Sequence, residues 1–410
     1  MTSSTADGQR CLYCGKQYPL YPPILEGCPN CATDDFKSPL ELTYKYPTTA
    51  DWLPEAPLPG LERYAAVLPP MAEGLSMGEG GTPLVWYPKS SLVNANPLYI
   101  KDESRNPTWS HKDRLNLAVV SAALAVGAKG VVAASSGNHG GSAAAYSARA
   151  KLPGVILTTP RPPAVASFLQ AYGQAVIAVP DIQTRWVLMR RLVNEMGFHP
   201  ASNQTTPPTN HPFGAENYKS IAYELFLQLG RQSPAAVFVP VGFSELIFGI
   251  YKGFSELKQY NLIETLPRMI SCEPAAGAPL KLALEQDQPV VSVKAESSIA
   301  YSIAVSTNSY RGVVAVRETN GAPLAITESE IRQAQIALSR TGIWGEYSSA
   351  VAFAGALRAS GLRLKKGPIV CINTSSGFKN LDVGQNPVPM IDGSWDSLIA
   401  RLTDQGLLHP

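Results

Sequence analysis

The sequence predicts an α/β protein with mostly parallel sheets, and three observations carry that expectation. From about Leu98 onward, short apolar runs alternate with longer Ala- and Leu-rich helical patterns, the rhythm of strand–helix–strand units. The chain is 410 residues long, too long for one ordinary core, so two or three domains are expected. Hydrophobic residues make up 45% and charged residues 16%, which suits a globular chain and not a disordered one.

Taken in order, residues 1–45 carry two cysteine pairs and little apolar periodicity. A connector follows in which Trp52 to Pro70 contains five prolines, a composition that stays extended. Strands are expected at Val131–Ala134, Gly154–Leu157, Ala175–Val179, Ala236–Val241, Met269–Cys272 and Ile369–Ile372. Helices are expected at Asp113–Val126, Gly141–Ala150, Ile182–Met196, Asn217–Leu229, Glu328–Ser339 and Ser348–Ala359. There is no internal repeat.

The formal net charge of +2 gives no electrostatic reason to expect a nucleic acid or a membrane surface as partner. The first ten residues are polar and lack the apolar stretch of a secretory signal. The longest apolar stretch, Leu115 to Val126, is too short to span a bilayer and is broken by Asn116 and Ser121. Four of the six cysteines lie in the two pairs, and Cys272 and Cys371 sit inside strand-like runs. A reducing, cytoplasmic setting fits this usage better than a disulfide framework.

Cys11, Cys14, Cys28 and Cys31 read C-x2-C-x13-C-x2-C. Each pair can sit on a tight turn and aim two thiolates at one ion, and four such ligands close a tetrahedral zinc shell. The expectation is a structural zinc with no open position for chemistry. The other reading is a ribbon that keeps its cysteines but binds metal poorly.

Four segments could carry chemistry. Lys101 to Arg114 contains the turn signal Asn106-Pro-Thr and places Lys112 at the start of a helical pattern, near positive dipole charge. A lysine at a helix start is also commonly just a solvated surface residue. Ser135, Ser136, Gly137, Asn138, His139 and Gly140 lie between a strand and an Ala-rich helix. They form either an anion cradle of free N–H groups and hydroxyls or a mere Gly-rich turn. Gly242, Phe243, Ser244, Glu245 and Leu246 again join a strand to a helix, and one glycine there is weak evidence for a phosphate turn. Thr374 follows the last expected strand, at the kind of strand end where open α/β sheets bind ligands.

Together the segments resemble one family, the pyridoxal-phosphate enzymes related to tryptophan synthase β and the serine/threonine dehydratases, and within it the threonine synthase-like branch. Lys101 to Arg114 is similar to K-x-E-x-x-N-P-T-G-S-F-K-D-R. Gly78 to Leu84 resembles G-E-G-x-T-P-L, Asn217 to Leu225 resembles G-x-K-T-I-A-Y-E-I, and Gly342 to Ala350 resembles G-I-F-V-E-P-S-S-A. The resemblance covers most of residues 11–382 in consistent order. It implies a two-domain fold type II enzyme with mostly parallel sheets behind a small zinc-ribbon-like segment. The implied bounds are 1–45 for the ribbon, 46–125 and 205–395 for a large cofactor domain, 126–204 for a small substrate-carboxylate domain, and 396–410 for a tail.

The same resemblance implies pyridoxal 5′-phosphate held covalently by Lys112, with Asn138 beside the cofactor O3′ and Thr374 facing the ring nitrogen. Gly242 to Leu246 would cradle the phosphate, and Ser135 to His139 the substrate carboxylate. A small amino-acid substrate, elimination or replacement chemistry, and a homodimer are implied as well. A hydroxyl facing the ring nitrogen makes a milder electron sink than a carboxylate would.

Three departures bear on these expectations. Glu245 stands in the phosphate turn, where it either repels a phosphate or occupies the favourable first helical turn. Trp109 and His111 replace a glycine and a phenylalanine, and His111 either titrates beside the lysine or is a packed neighbour. His211-Pro-Phe-Gly214 lacks the arginine that grips a phosphate in N-P-Y-R. Arg105, Arg185 or Arg311 could replace it; otherwise the leaving group is not phosphate and the substrate is an activated serine. A protein that has kept the fold for binding without catalysis is the remaining alternative.

Overall fold

The N-terminal cysteine turns are held between strands β1 (Ala6–Cys11), β2 (Gln17–Pro19) and β3 (Leu40–Tyr44), an antiparallel sheet in the order β2-β1-β3. The computed structural model describes residues 1–88, 96–135, 137–161, 163–380 and 390–407. A three-stranded ribbon this small buries little apolar surface by itself, and charges dock it to the rest. Lys252 Nζ donates to Leu42 O at 2.6 Å and pairs with Glu41 at 3.0 Å and Glu216 at 2.7 Å. Leu42 N and Tyr44 Oη both donate to Glu216.

β4 (Leu84–Tyr87) and β5 (Leu98–Asp102) open a second sheet. The chain then builds a third, parallel sheet from β6 (Gly130–Ala134), β7 (Gly154–Thr158), β8 (Ala175–Ala178) and β9 (Phe198–Pro200), in the order β8-β7-β6-β9. It returns to the second sheet with β10 (Ala236–Pro240), β11 (Arg268–Pro274), β12 (Ala322–Ile326) and β13 (Ile369–Asn373). The six-stranded order is β12-β11-β10-β13-β5-β4, parallel except for β4 against β5. Strands β6, β10 and β13 are buried along their whole length, as parallel strands covered on both faces must be.

All six expected strands and all six expected helices are present, with ends shifted by a few residues. Helix Lys112–Ala125 begins at Lys112 itself. Elements that sequence reading did not propose include the ribbon strands, β4, β5, β9 and β12, and helix Tyr310–Glu318.

Two units make up the chain, Met1–Lys379, which holds the three sheets, and Asn380–Pro410. The second contains helix Trp395–Asp404, capped where Ser394 Oγ accepts from Ser397 N, in a stretch expected to be mostly tail. Among the described residues no helix is long and apolar enough to cross a membrane.

Candidate active site

The carboxyl ends of β6, β10 and β13 open on one cavity of about 870 Å³ in the Met1–Lys379 unit, where ligands bind in open α/β sheets. Lys112, Ser135, Gly137, Asn138, His139, Gly242, Phe243, Ser244, Glu245, Leu246 and Thr374 all line it. Ser136 lies outside the described residues.

Lys112 reaches the cavity because of how its helix starts. His111 N donates to Thr374 O at 3.0 Å, and Thr108 N donates to Asp113 Oδ2 at 2.6 Å. The first ties the turn before Lys112 to the end of β13, and the second closes that turn onto its own helix. Trp109 adopts φ 62°, the left-handed region that favours glycine, which is the residue the family pattern carries there. His111 is buried, with Nδ1 3.1 Å from Thr374 O, and burial and the Lys112 charge push its pKa well below the usual value. It is a packed neighbour whose neutral form burial favours.

The Gly242–Leu246 turn is pinned by Asn210 Nδ2, which donates to Phe243 O at 2.6 Å. Ser244 then adopts φ 68° and offers no side-chain cap to the 15-residue helix Glu245–Gln259. Its own Oγ is buried without a hydrogen-bond partner. An uncapped helix start on a cavity wall suits a phosphate through its free N–H groups, while the Ser244 Oγ is packed toward Gly312. Glu245 is the first residue of that helix, where a carboxylate is favourable, and its Oε2 lies 3.7 Å from Lys112 Nζ.

On the third sheet's side, helix Asn138–Arg149 starts after Gly137 with no side-chain cap, and Ser135 Oγ accepts from Gly140 N at 2.9 Å. Gly141 is required, because a Cβ there would meet the Phe168 ring at 2.1 Å. The His139 Nδ1 is buried without a partner, and burial followed by the Lys112 charge pulls its pKa to about 3. Thr374 Oγ1 lies 2.7 Å from Ser349 Oγ.

Four charged residues of the cavity, Glu346, Lys379, Arg161 and Arg190, have no role assigned from sequence. Glu346 and Lys379 stand within or beside quoted motifs and meet at Asn138. Arg161, Arg185 and Arg190 line the wall beside the third sheet, and only Arg185 was named as a candidate cation. Arg105 instead binds Asp102 at 3.1 Å. Arg311 is fully buried, bonded to Leu40 O and stacked 4.9 Å from the Phe248 ring, away from the cavity.

The Sγ atoms of Cys11, Cys14, Cys28 and Cys31 all lie within 4.8 Å of one another. Cys11 to Cys31 is 3.6 Å and Cys14 to Cys28 is 3.7 Å, close to the roughly 3.8 Å edge of a tetrahedron with Zn–S bonds of about 2.3 Å.

Residues 75–375 match the family model described as "Pyridoxal-phosphate dependent enzyme". The chain belongs to that family. It is 33% identical over 392 residues to a threonine synthase of Methanocaldococcus jannaschii, covering 91% of this chain and 93% of that one. A threonine synthase of Mycobacterium tuberculosis is 30% identical over 322 residues, 76% of this chain and 86% of its own length. Among solved structures, maize serine racemase has a TM-score of 0.63 at 19% identity, covering 78% of this chain and 93% of that one. The processed threonine deaminase isoform 2 of Solanum lycopersicum also has a TM-score of 0.63, at 23% identity, covering 80% and 83%. These structures share the fold of a pyridoxal-phosphate enzyme, and the residues around Lys112 and Ser244 fit that group.

Proposed function

We propose that this pyridoxal-phosphate enzyme is a threonine synthase-type lyase that converts O-phosphohomoserine and water to threonine and phosphate, by elimination at Cγ and addition of water at Cβ. The observation that carries the reading is the cluster of Arg161, Arg185 and Arg190 on the wall of the Lys112 cavity. Burial first, and then the charge of Arg161, push the Arg185 pKa down, a penalty that a bound anion relieves. The arginine missing from His211-Pro-Phe-Gly214 has no room in this chain. A Cβ at Gly214 would meet Leu115 Cγ at 2.8 Å and Val119 Cγ2 at 3.1 Å. That place faces the core, so a side chain there could not serve the cavity in this chain.

Bound pyridoxal phosphate supplies the sink that stabilises negative charge at the substrate Cα. Lys112 would hold it covalently through Nζ, and the uncapped N–H groups of the Gly242–Leu246 turn would hold its phosphate. Lys112 Nζ, at the start of its helix on the cavity wall, would also accept the proton from the substrate Cα. The Ser135–His139 turn would bind the substrate carboxylate through its N–H groups, and Thr374 Oγ1 would meet the ring nitrogen. The arginines hold the leaving phosphate and stabilise the charge it gains as the Cγ–O bond breaks.

The deciding experiment offers the cofactor-loaded protein O-phosphohomoserine, O-phosphoserine, O-acetylserine, serine and threonine in turn, following the visible absorption band and free phosphate. Phosphate and threonine from O-phosphohomoserine establish the reading. A response to serine derivatives alone replaces it with β-replacement or β-elimination, the reading favoured by the absence of the N-P-Y-R arginine. No absorption band with any cofactor load would point to a binding protein. Within the lead reading, Arg185→Met is expected to raise KM for the phosphorylated substrate about 10- to 100-fold, the loss of a hydrogen bond to a charged group. Cofactor affinity should not move; an unchanged KM would remove Arg185 from the phosphate site.

The same reading includes a structural zinc on the four cysteines, and a homodimer in the cytoplasm by analogy with the family. Elemental analysis should give one zinc per chain, and chelation should make four thiols newly reactive while destabilising the ribbon. Chelation that abolished turnover at once would instead give the metal a part in the chemistry.

A further inference from the structure

Asn138 is the first residue of its helix, and its side-chain amide is gripped at both ends. Nδ2 lies 2.9 Å from Glu346 Oε1 and 3.1 Å from Oε2. Oδ1 accepts from Lys379 Nζ at 2.7 Å and from Ser375 Oγ at 2.9 Å. Glu346, Lys379 and Ser375 are buried, at 4%, 6% and 0% exposure. The grip comes from distant parts of the chain. Glu346 directly precedes helix Tyr347–Leu357 but makes no side-chain cap to it, which leaves its carboxylate free for Asn138. Its backbone N donates to Ser375 O at 3.2 Å, which fixes the carboxylate relative to the segment carrying Ser375 and Lys379.

The chemistry of these partners settles which way the amide points. A carboxylate accepts and a lysine ammonium only donates, so the NH2 end faces Glu346 and the oxygen faces Lys379. With the amide flipped, its oxygen would meet the carboxylate and its NH2 the ammonium, repulsive on both sides. One amide hydrogen is spent on Glu346, and the other remains for a ligand in the cavity that Asn138, Glu346 and Lys379 line together.

We infer that Glu346 is a positioning residue which, opposed by Lys379 and Ser375, locks the Asn138 amide so that it donates its second hydrogen to the phenolic oxygen of the cofactor. The inference rests on the reading that Asn138 stands beside that oxygen, and it adds the group that sets the direction of the bond. Glu346 acts through Asn138 and not on the substrate.

Protonation of Glu346 would weaken the lock, because a carboxylic acid donates as well as accepts. Burial raises the Glu346 pKa to about 7 against the pull of Lys379, Asn138 and Lys112. Burial lowers that of Lys379 to about 8 against the pull of Glu346 and Asp113. The charged groups facing the pair are thus Lys112 and Asp113, both in helix Lys112–Ala125. Lys379 Nζ also lies 3.8 Å from the Phe168 ring centroid. Cofactor affinity in the native protein should therefore fall as pH drops through about 7.

The test is the equilibrium affinity of the apoprotein for pyridoxal phosphate, read by the visible absorption band, in a double-mutant cycle of Glu346→Gln and Asn138→Ala. Glutamine keeps the volume but can donate or accept, so the enforcement of the amide direction is left to the Lys379 side alone. Glu346→Gln is expected to weaken binding about 10-fold and to abolish the pH inflection. In the Asn138→Ala background the same change should weaken binding less than about 2-fold, because its target is gone. Wild-type affinity in Glu346→Gln, or effects that multiply in the double variant, would overturn the inference while leaving Asn138 at the cofactor. Wild-type affinity in Asn138→Ala would instead overturn the underlying placement of Asn138. Should Glu346→Gln fail to fold by circular dichroism, Ser375→Ala takes its place: weakening in the native background and none beside Asn138→Ala supports the lock, and equal effects in both refute it.

Discussion

Lys112→Ala is expected to lower kcat on the order of 10³-fold or more, with little loss of thermal stability. The activity effect follows from position. Among the described residues, the cavity wall carries two lysines, Lys112 and Lys379. Lys379 is committed to Asn138 Oδ1 and to Thr108 O, whereas Lys112 extends from the first residue of its helix with Glu245 as its ion-pair partner at 3.7 Å. Stability should change little because the Lys112 side chain is 22% exposed and its contacts are one ion pair at 3.7 Å and a ring face 5.9 Å away, interactions of about 1 kcal/mol or less. The check has two parts. Borohydride reduction of the loaded native protein should fix the cofactor to the peptide bearing Lys112, and Lys112→Ala should release all of its cofactor on denaturation. A variant that kept full turnover, or a label found on Lys379, would move the covalent attachment elsewhere.

The framework of this site was legible where the determinants are local. A turn signal followed by an apolar helical pattern placed Lys112 at a helix start, and its helix begins there. Apolar runs gave β6, β10 and β13, whose ends position Ser135, Gly242 and Thr374. Glu245 posed a question that geometry answered: it occupies the first turn of its helix and turns toward Lys112. What stayed hidden depends on contacts between distant segments. Glu346 and Lys379 meet Asn138 across 208 and 241 residues, and no spacing rule reaches that far. Arg161 follows β7 with no motif around it, and only the shape of the cavity gives it meaning. Arg105 and Arg311 stand out in the sequence by charge alone, which cannot tell a cavity wall from a buried stack on Phe248.

Arg114→Met should be the most destabilising single change near the site. The Arg114 side chain is fully buried, and its guanidinium bridges two carboxylates. Nε and Nη2 donate to Glu103 at 2.7 and 2.8 Å, and Nη1 and Nη2 to Glu224 at 2.6 and 2.8 Å. Lys101 Nζ adds a second cation, 2.6 Å from Glu224. Two cations thus balance two carboxylates in a site without solvent. Removing one cation leaves an uncompensated buried negative charge, a loss of about 3–5 kcal/mol. The damage would reach the cavity, because Glu224 also accepts from Gly81 N at 2.9 Å and Arg114 sits one turn or less from Lys112. Burial alone would raise the Glu224 pKa, but Arg114 and Lys101 pull it down to about 2. A carboxylate held below its usual value stabilises the fold above that usual value, and the contribution is lost as pH falls toward about 2. In Arg114→Met the pull weakens, so the stability deficit relative to the native protein should be largest near neutral pH and shrink in acid, as protonation of Glu224 relieves its unpaired charge. The double variant Arg114→Met, Glu224→Gln restores charge balance between Lys101 and Glu103 and should recover part of the lost melting temperature. A double variant less stable than the single one would mean that packing around the guanidinium, and not charge balance, dominates this network.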